Sequence, residues 1–334
     1  MEGASRSGTQ GLAIEAAGLT KTFGSTRAVD SVDLSVERGS VYGFLGPNGA
    51  GKTTTIRILA TLLRPDSGRA YVLGHDVVQD ADAVRAELSL TSQFASVDVD
   101  LTVFENLVLV ARLFGYRHRG AKKRASEMLE AFDLTQVSSR QVTLLSGGMR
   151  RRLDIAASLV VVPELVFLDE PTSGLDPRNR RQLWDVIRAL SADGTTVLLT
   201  TQHLDEADAL ADRIAVIDGG AVIAEGTKAE LKASVGAGAI RVGLARPEQR
   251  RAAERVLTRD LGLQVAADSD PTVLSTRIAS TDGPDGLAGE AGHVLTALSR
   301  SGITVNDFSV GRPSLDEVFL AITDDAAKAP RITG

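Results

Sequence analysis

Eight consecutive residues, Gly46-Pro47-Asn48-Gly49-Ala50-Gly51-Lys52-Thr53, stand between the apolar run Val41 to Leu45 and the helical run Thr54 to Leu63. No other segment constrains the fold as strongly, because a glycine loop ending in Lys-Thr between a strand and a helix is a phosphate-binding loop. Its glycines let consecutive backbone N–H groups wrap around phosphate oxygens, and the helix N-terminus adds positive potential. Lys52 then reaches the β and γ phosphates of a nucleotide, and Thr53 offers its hydroxyl to Mg²⁺. The expected nucleotide-binding set is Gly46, Pro47, Asn48, Gly49, Ala50, Gly51, Lys52, Thr53 and, one residue on, Thr54.

The rest of the first two thirds fits such a loop. From Leu12 to about Lys232, short β-rich runs alternate with helical periods, the pattern of an α/β protein. Val41 to Leu45, Leu165 to Leu168, Thr196 to Thr200 and Ile214 to Ile217 are continuous apolar or β-branched runs. Runs of that kind are buried on both faces, so the expected core is a mostly parallel sheet between helices. Between about 95 and 145 the character turns helical, with Val103, Leu107, Val110 and Phe114 on one side, and this stretch reads as a helical insertion.

A second chemical element is Leu165-Val166-Phe167-Leu168-Asp169-Glu170-Pro171. The run delivers two carboxylates to the C-terminal end of a buried strand, where ligands bind in open α/β sheets. The two acids divide the labour: Asp169 is expected to hold Mg²⁺, and Glu170 to orient and deprotonate the attacking water.

Composition removes several alternatives. The 334 residues contain no cysteine, which excludes disulfides, thiolate metal sites and a cysteine nucleophile. A net charge of −6 offers no general attraction for nucleic acid or anionic lipid. With 43% hydrophobic residues the chain has enough apolar surface for a core. No apolar run approaches the ~20 residues a membrane helix needs. Arginine outnumbers lysine by 30 to 7, a usage associated with GC-rich bacterial genomes.

After the Gly-Ala run at 234–239 a second pattern begins. Ile240 to Leu244, Val273 to Ile278 and Ile303 to Val310 read as strands, and Pro247 to Leu261 and Gly286 to Ser301 as helices. The expected unit is a small α+β domain of ferredoxin-like type. A last helix, from Ser314 to about Ile322, opens with a Ser314–Glu317 capping box ahead of Val318, Phe319 and Leu320. The expected organisation is a tail at 1–11, a nucleotide-binding domain at 12–232, an assembly or regulatory domain at 236–322 and a tail at 323–334.

One further segment gives these motifs a family. Leu145-Ser146-Gly147-Gly148-Met149-Arg150, just upstream of the acidic strand, resembles the signature motif of ABC transporter ATPases. Other matches fall in family order: Gln93 in the glutamine-loop position, Ser173-Gly174-Leu175-Asp176 like the D-loop, His203 like the switch histidine, and Phe23 where an aromatic stacks on adenine. The runs Gly148 to Ala156, Thr200 to Asp208 and Pro313 to Leu320 resemble the daunorubicin-resistance type of drug-exporter ATPase. Met149 departs from the family, which usually has glutamine there, while the backbone donors of the motif remain.

The resemblance implies a P-loop NTPase fold of ABC type that binds ATP and Mg²⁺. It makes Glu170, His203 and Gln93 catalytic, and Thr53, Gln93 and Asp169 the metal-binding residues. Ser146, Gly147, Gly148 and Asp176 would complete the site of a second ATPase subunit, with two ATP molecules sandwiched in a homodimer. The implied role is a bacterial export pump's motor, peripheral on the cytoplasmic membrane face, driving a separate transmembrane permease. The cargo class is a hydrophobic drug, antibiotic or lipid-like molecule. Two alternatives share much of this pattern: an importer ATPase, and a soluble ABC-type ATPase acting on nucleic acid or ribosomes. The single cassette, the acidic balance and the absence of zinc cysteines disfavour the latter, and no nucleic-acid partner is expected.

Overall fold

The computed structural model describes residues 11–91, 97–234, 238–267, 270–278, 286–311 and 314–328. Two compact units divide the chain, Met1–Glu225 and Gly226–Gly334.

At the centre of the first unit is a six-stranded sheet. Its order is Ala221–Thr227, Arg213–Asp218, Val41–Leu45, Thr196–Thr201, Leu165–Asp169, Leu88–Thr91. The pairings from Arg213–Asp218 through to Leu88–Thr91 are parallel. Both faces are covered, as the continuous apolar runs require. Val166 and Leu168 point into one buried cluster with Val197 and Leu199, and Leu165 and Phe167 point into the other with Tyr42, Phe44 and Leu198. The helices Val103–Leu113 and His118–Ala131 form the helical insertion and pack on the first cluster through Val103, Leu107, Ala125 and Leu129. Phe114, expected on the apolar side, is 62% exposed and sits at the C-cap, one position past the end of the helix at Leu113.

A second sheet in this unit departs from the expected, mostly parallel pattern. Leu12–Phe23 and Thr26–Glu37 form a long antiparallel hairpin, extended by Ser67–Val72 and His75–Asp76. The hairpin is hard to read from sequence because four register shifts interrupt its alternation.

The second unit contains a four-stranded antiparallel sheet in the order Gln264–Ala267, Val273–Ile278, Gly238–Leu244, Val305–Gly311. Two helical segments connect the strands. One is Arg250–Arg255, continued by a π turn over Val256–Asp260, and the other is Gly286–Arg300. This is the βαββαβ arrangement, with one strand, Gln264–Ala267, beyond those expected. The helix Leu315–Lys328 runs past the expected end at Ile322 and packs on Lys228–Ser234. Its capping box is formed, with Glu317 N–H donating to Ser314 Oγ at 3.2 Å and Ser314 N–H to Glu317 Oε2 at 2.8 Å. Leu315 and Val318 are buried, and Leu320 is exposed.

Candidate nucleotide site

The parallel register places the chemistry. Leu45 pairs with Thr201, and Asp169 pairs with Thr200, so the three middle strands end at one level. Gly46, Glu170 and the Gln202-His203 turn therefore leave the sheet along one edge.

At that edge the loop can exist only with glycine at two positions. A Cβ on Gly46 would lie 2.2 Å from the carbonyl oxygen of Ile217. Gly51, with φ 104, precedes the helix Lys52–Leu59, and a Cβ there would meet Ala28 O at 2.3 Å. Pro47, Asn48 and Gly49 form an exposed rim, Ala50 is buried beneath it, and Thr53 and Thr54 are half-buried on the first helical turn.

The side chains behind the loop form one connected cluster. Lys52 is 4% exposed, and its ammonium donates to Gly46 O at 2.7 Å and Pro47 O at 3.0 Å. Its Nζ stands 3.6 Å from Glu170 Oε1. Burial lowers the lysine's pKa, while Glu170 and Asp169 oppose that shift. Asp169 is buried and accepts from two hydroxyls, Thr53 at 2.9 Å and Thr200 at 2.6 Å. Thr200 Oγ1 in turn accepts from the Glu170 N–H at 3.0 Å, so one hydroxyl links the two acids. Glu170 has φ 47, in the left-handed region.

Mg²⁺ takes hard oxygen ligands and usually keeps several waters and substrate phosphates. The adjacent Thr53 hydroxyl and Asp169 carboxylate are such donors, and among the described residues no cluster of three or more His, Cys, Asp or Glu offers a competing metal site. The residues present thus fit a phosphate-bound Mg²⁺.

The remaining expected residues occupy separate positions. His203 is half-buried at the start of the helix Leu204–Leu210, its N–H donating to Thr201 Oγ1 at 2.9 Å. Ser146 is exposed at the N-cap of Gly147–Ser158, with its hydroxyl accepting from Met149 N–H, and no hydrogen bond among the described residues joins Ser146–Gly148 to the phosphate loop. Asp176 is exposed and caps Pro177–Ala192, accepting from Arg178 and Asn179, and these hydrogen bonds hold its carboxyl below the usual range. Phe23 is 51% exposed near the end of the first hairpin, 5.8 Å below Lys21 Nζ. Gln93 lies outside the described residues.

By charge alone the run Arg150 to Arg152 would form a solvated helix face or touch a permease, but the structure turns two of its side chains inward. Arg152 is 5% exposed and donates to Phe132 O at 2.9 Å, and Arg151 donates to the carbonyls of the Asp169–Pro171 turn. Carbonyl partners about 20 residues away leave no trace in a three-arginine run. Thr200 and Glu206 were also missed. Glu206 is fully buried and accepts from the Trp184 indole at 3.3 Å. Burial raises its pKa, opposed by the hydroxyls of Thr201 and Thr172, the Trp184 indole and His203.

Residues 29–173 match the family model described as ABC transporter. Over 315 residues the chain is 57% identical to the "Daunorubicin/doxorubicin resistance ATP-binding protein DrrA" of Streptomyces peucetius, covering 94% of this chain and 93% of that protein. This chain belongs to the ABC transporter family, among its ATP-binding proteins. The ATPase is also 42% identical, over 95% of its length and 96% of the relative's, to the "Doxorubicin resistance ATP-binding protein DrrA" of Mycobacterium tuberculosis. A "Nod factor export ATP-binding protein I" of Ralstonia nicotianae is 44% identical over 64% of this chain and 67% of that protein. Among solved structures, an ATP-binding subunit of an ABC transporter matches at TM-score 0.60 and 27% identity, over 66% of this chain and 92% of that one. A dimeric post-hydrolysis cassette, MJ0796 bound to ADP and Pi, matches at 0.59 and 27% identity, over 64% and 98%. The ATPase thus binds nucleotide and hydrolyses ATP, and no helix among its described residues is long and apolar enough to cross a membrane.

Proposed function

We propose that this ATPase is the motor of an export pump, in which two copies close on ATP and drive a separate membrane permease that expels a hydrophobic drug or lipid-like molecule. The names of the relatives that match nearly end to end support the cargo class. The observation that carries the motor reading is the cluster of Lys52, Thr53, Asp169 and Glu170 at the sheet edge. Lys52 and the loop N–H groups bind and orient the phosphates. Thr53 and Asp169 would hold Mg²⁺, which supplies charge neutralisation on the phosphate oxygens when bound. Glu170 takes a proton from the attacking water, and His203 and Gln93 align the γ-phosphate and that water.

Because Ser146 is exposed at a helix N-terminus and unbonded to its own chain's loop, it suits the nucleotide of a second copy. Mixing chains tests this. Ser146→Arg and Lys52→Ala proteins are each expected to be inactive, and their mixture to recover hydrolysis, since one of its two sites carries neither defect. No recovery would place each site within one chain. Export itself is tested by expressing the chain with its permease: cellular daunorubicin is expected to fall, and to stay high with Glu170→Gln.

A further inference from the structure

The turn bearing Glu170 is braced from two sides. On the strand side, its N–H is held by Thr200, through the carbonyl at 3.1 Å and the hydroxyl at 3.0 Å. On the opposite side stands Arg151. Its Nη2 donates to Asp169 O at 2.6 Å and Glu170 O at 3.2 Å, and its Nε to Pro171 O at 3.4 Å. Three consecutive carbonyls thus accept from one planar fork, centred on a residue whose φ of 47 a side chain disfavours. Strain of this sort persists only where the surroundings over-determine it. Burial pushes the guanidinium's pKa down, and Asp154, Asp169, Glu170 and Glu206 oppose that shift without cancelling it.

Arg151 also belongs to the helix Gly147–Ser158, which Ser146 caps. The two lie five positions apart, about 7.5 Å along a helix axis.

We propose that Arg151 is a positioning residue for hydrolysis: its guanidinium fixes the Glu170 turn in the geometry a general base needs, and ties that turn to the signature segment on the same helix. The second half rests on the two-copy reading above. Seating Ser146 on one nucleotide then favours the productive Glu170 turn at the other, so the two sites assist each other while a single intact site still turns over. Lysine cannot replace the fork, because one ammonium cannot donate from two separated nitrogens as Arg151 Nε and Nη2 do.

The test uses full-length Arg151→Lys and Arg151→Met, read by MgATP affinity, kcat, the Hill coefficient for ATP and thermal melting. Small misplacements of a catalytic group cost up to about 100-fold in rate. Both variants are expected to lose about 10-fold or more in kcat, to bind MgATP within about twofold of wild type, and to show a Hill coefficient near one. Arg151→Lys retaining wild-type kcat and cooperativity would overturn the proposal, as would a loss of affinity and melting temperature in step with kcat. If the mixed Ser146→Arg and Lys52→Ala chains fail to recover while Arg151→Met still lowers kcat alone, the brace stands and the two-copy reading falls. If the mixture recovers and Arg151→Met turns over normally, the reverse holds.

Discussion

The two units bury different things. Among the described residues, the first places Lys52, Arg152, Asp154, Asp169 and Glu206 out of solvent, whereas in the second the buried polar groups are Ser275 and Thr276 alone. Its core is otherwise aliphatic, built on Ile240, Val242, Leu257, Leu274, Val294 and Leu298. A buried charge is costly unless partners compensate it. The first unit accepts that cost where phosphate chemistry requires fixed cations and carboxylates. The second has the energetics of a packing module, and we propose that it serves assembly.

The sharpest way to break this contrast is Glu170→Gln. Loss of the general base is expected to slow hydrolysis by at least about 100-fold while ATP still binds, so that light scattering detects a trapped dimer. Wild-type turnover in that variant would remove Glu170 from its role. A chain ending at Lys232 probes the other side: it should keep near-normal MgATP affinity but co-purify poorly with its permease. Loss of nucleotide binding in the folded, shortened chain would end the division into motor and assembly units.

A smaller effect is expected within the second core. Leu298→Ala removes a fully buried side chain and should destabilise that unit by roughly 2 to 5 kcal/mol. Calorimetry is expected to show the melting transition that MgATP does not shift moving down, with the MgATP-sensitive one unchanged. The smallest effect concerns Glu206→Gln. Because the folded state raises this carboxyl's pKa, it binds more protons than the unfolded chain above the ordinary glutamate range, and stability falls as pH rises there. The glutamine variant escapes that loss, so its melting temperature should exceed wild type at pH 7 to 8, with the gain vanishing below the ordinary glutamate range. An equal difference at every pH would show that ionisation of Glu206 is not its source.

What the sequence disclosed follows the same division. The phosphate loop, the acidic strand and the signature segment are local patterns, because each needs particular residues at fixed spacing on one turn or strand end. The parallel core was legible because Leu165 to Leu168 is continuously apolar and Thr196 to Thr200 continuously apolar or β-branched, without alternation. The Leu12–Phe23 hairpin was not, since its register shifts break the period. Arg151, Thr200 and Glu206 were hidden for another reason: their partners are carbonyls and side chains brought together by the sheet, and neither charge nor spacing announces them. In the second unit, strand Gln264–Ala267 is only four residues long, too short for periodicity to register.

The indole that donates to Glu206 belongs to the chain's single tryptophan. Trp184 lies on the helix capped by Asp176, and Glu206 on the helix that begins after His203. Its emission is therefore uncontaminated by any other indole, and its wavelength and intensity depend on the carboxyl beside it. The protein carries its own optical gauge between those two helices, and a stopped-flow trace on ATP addition would read any rearrangement there without any attached dye.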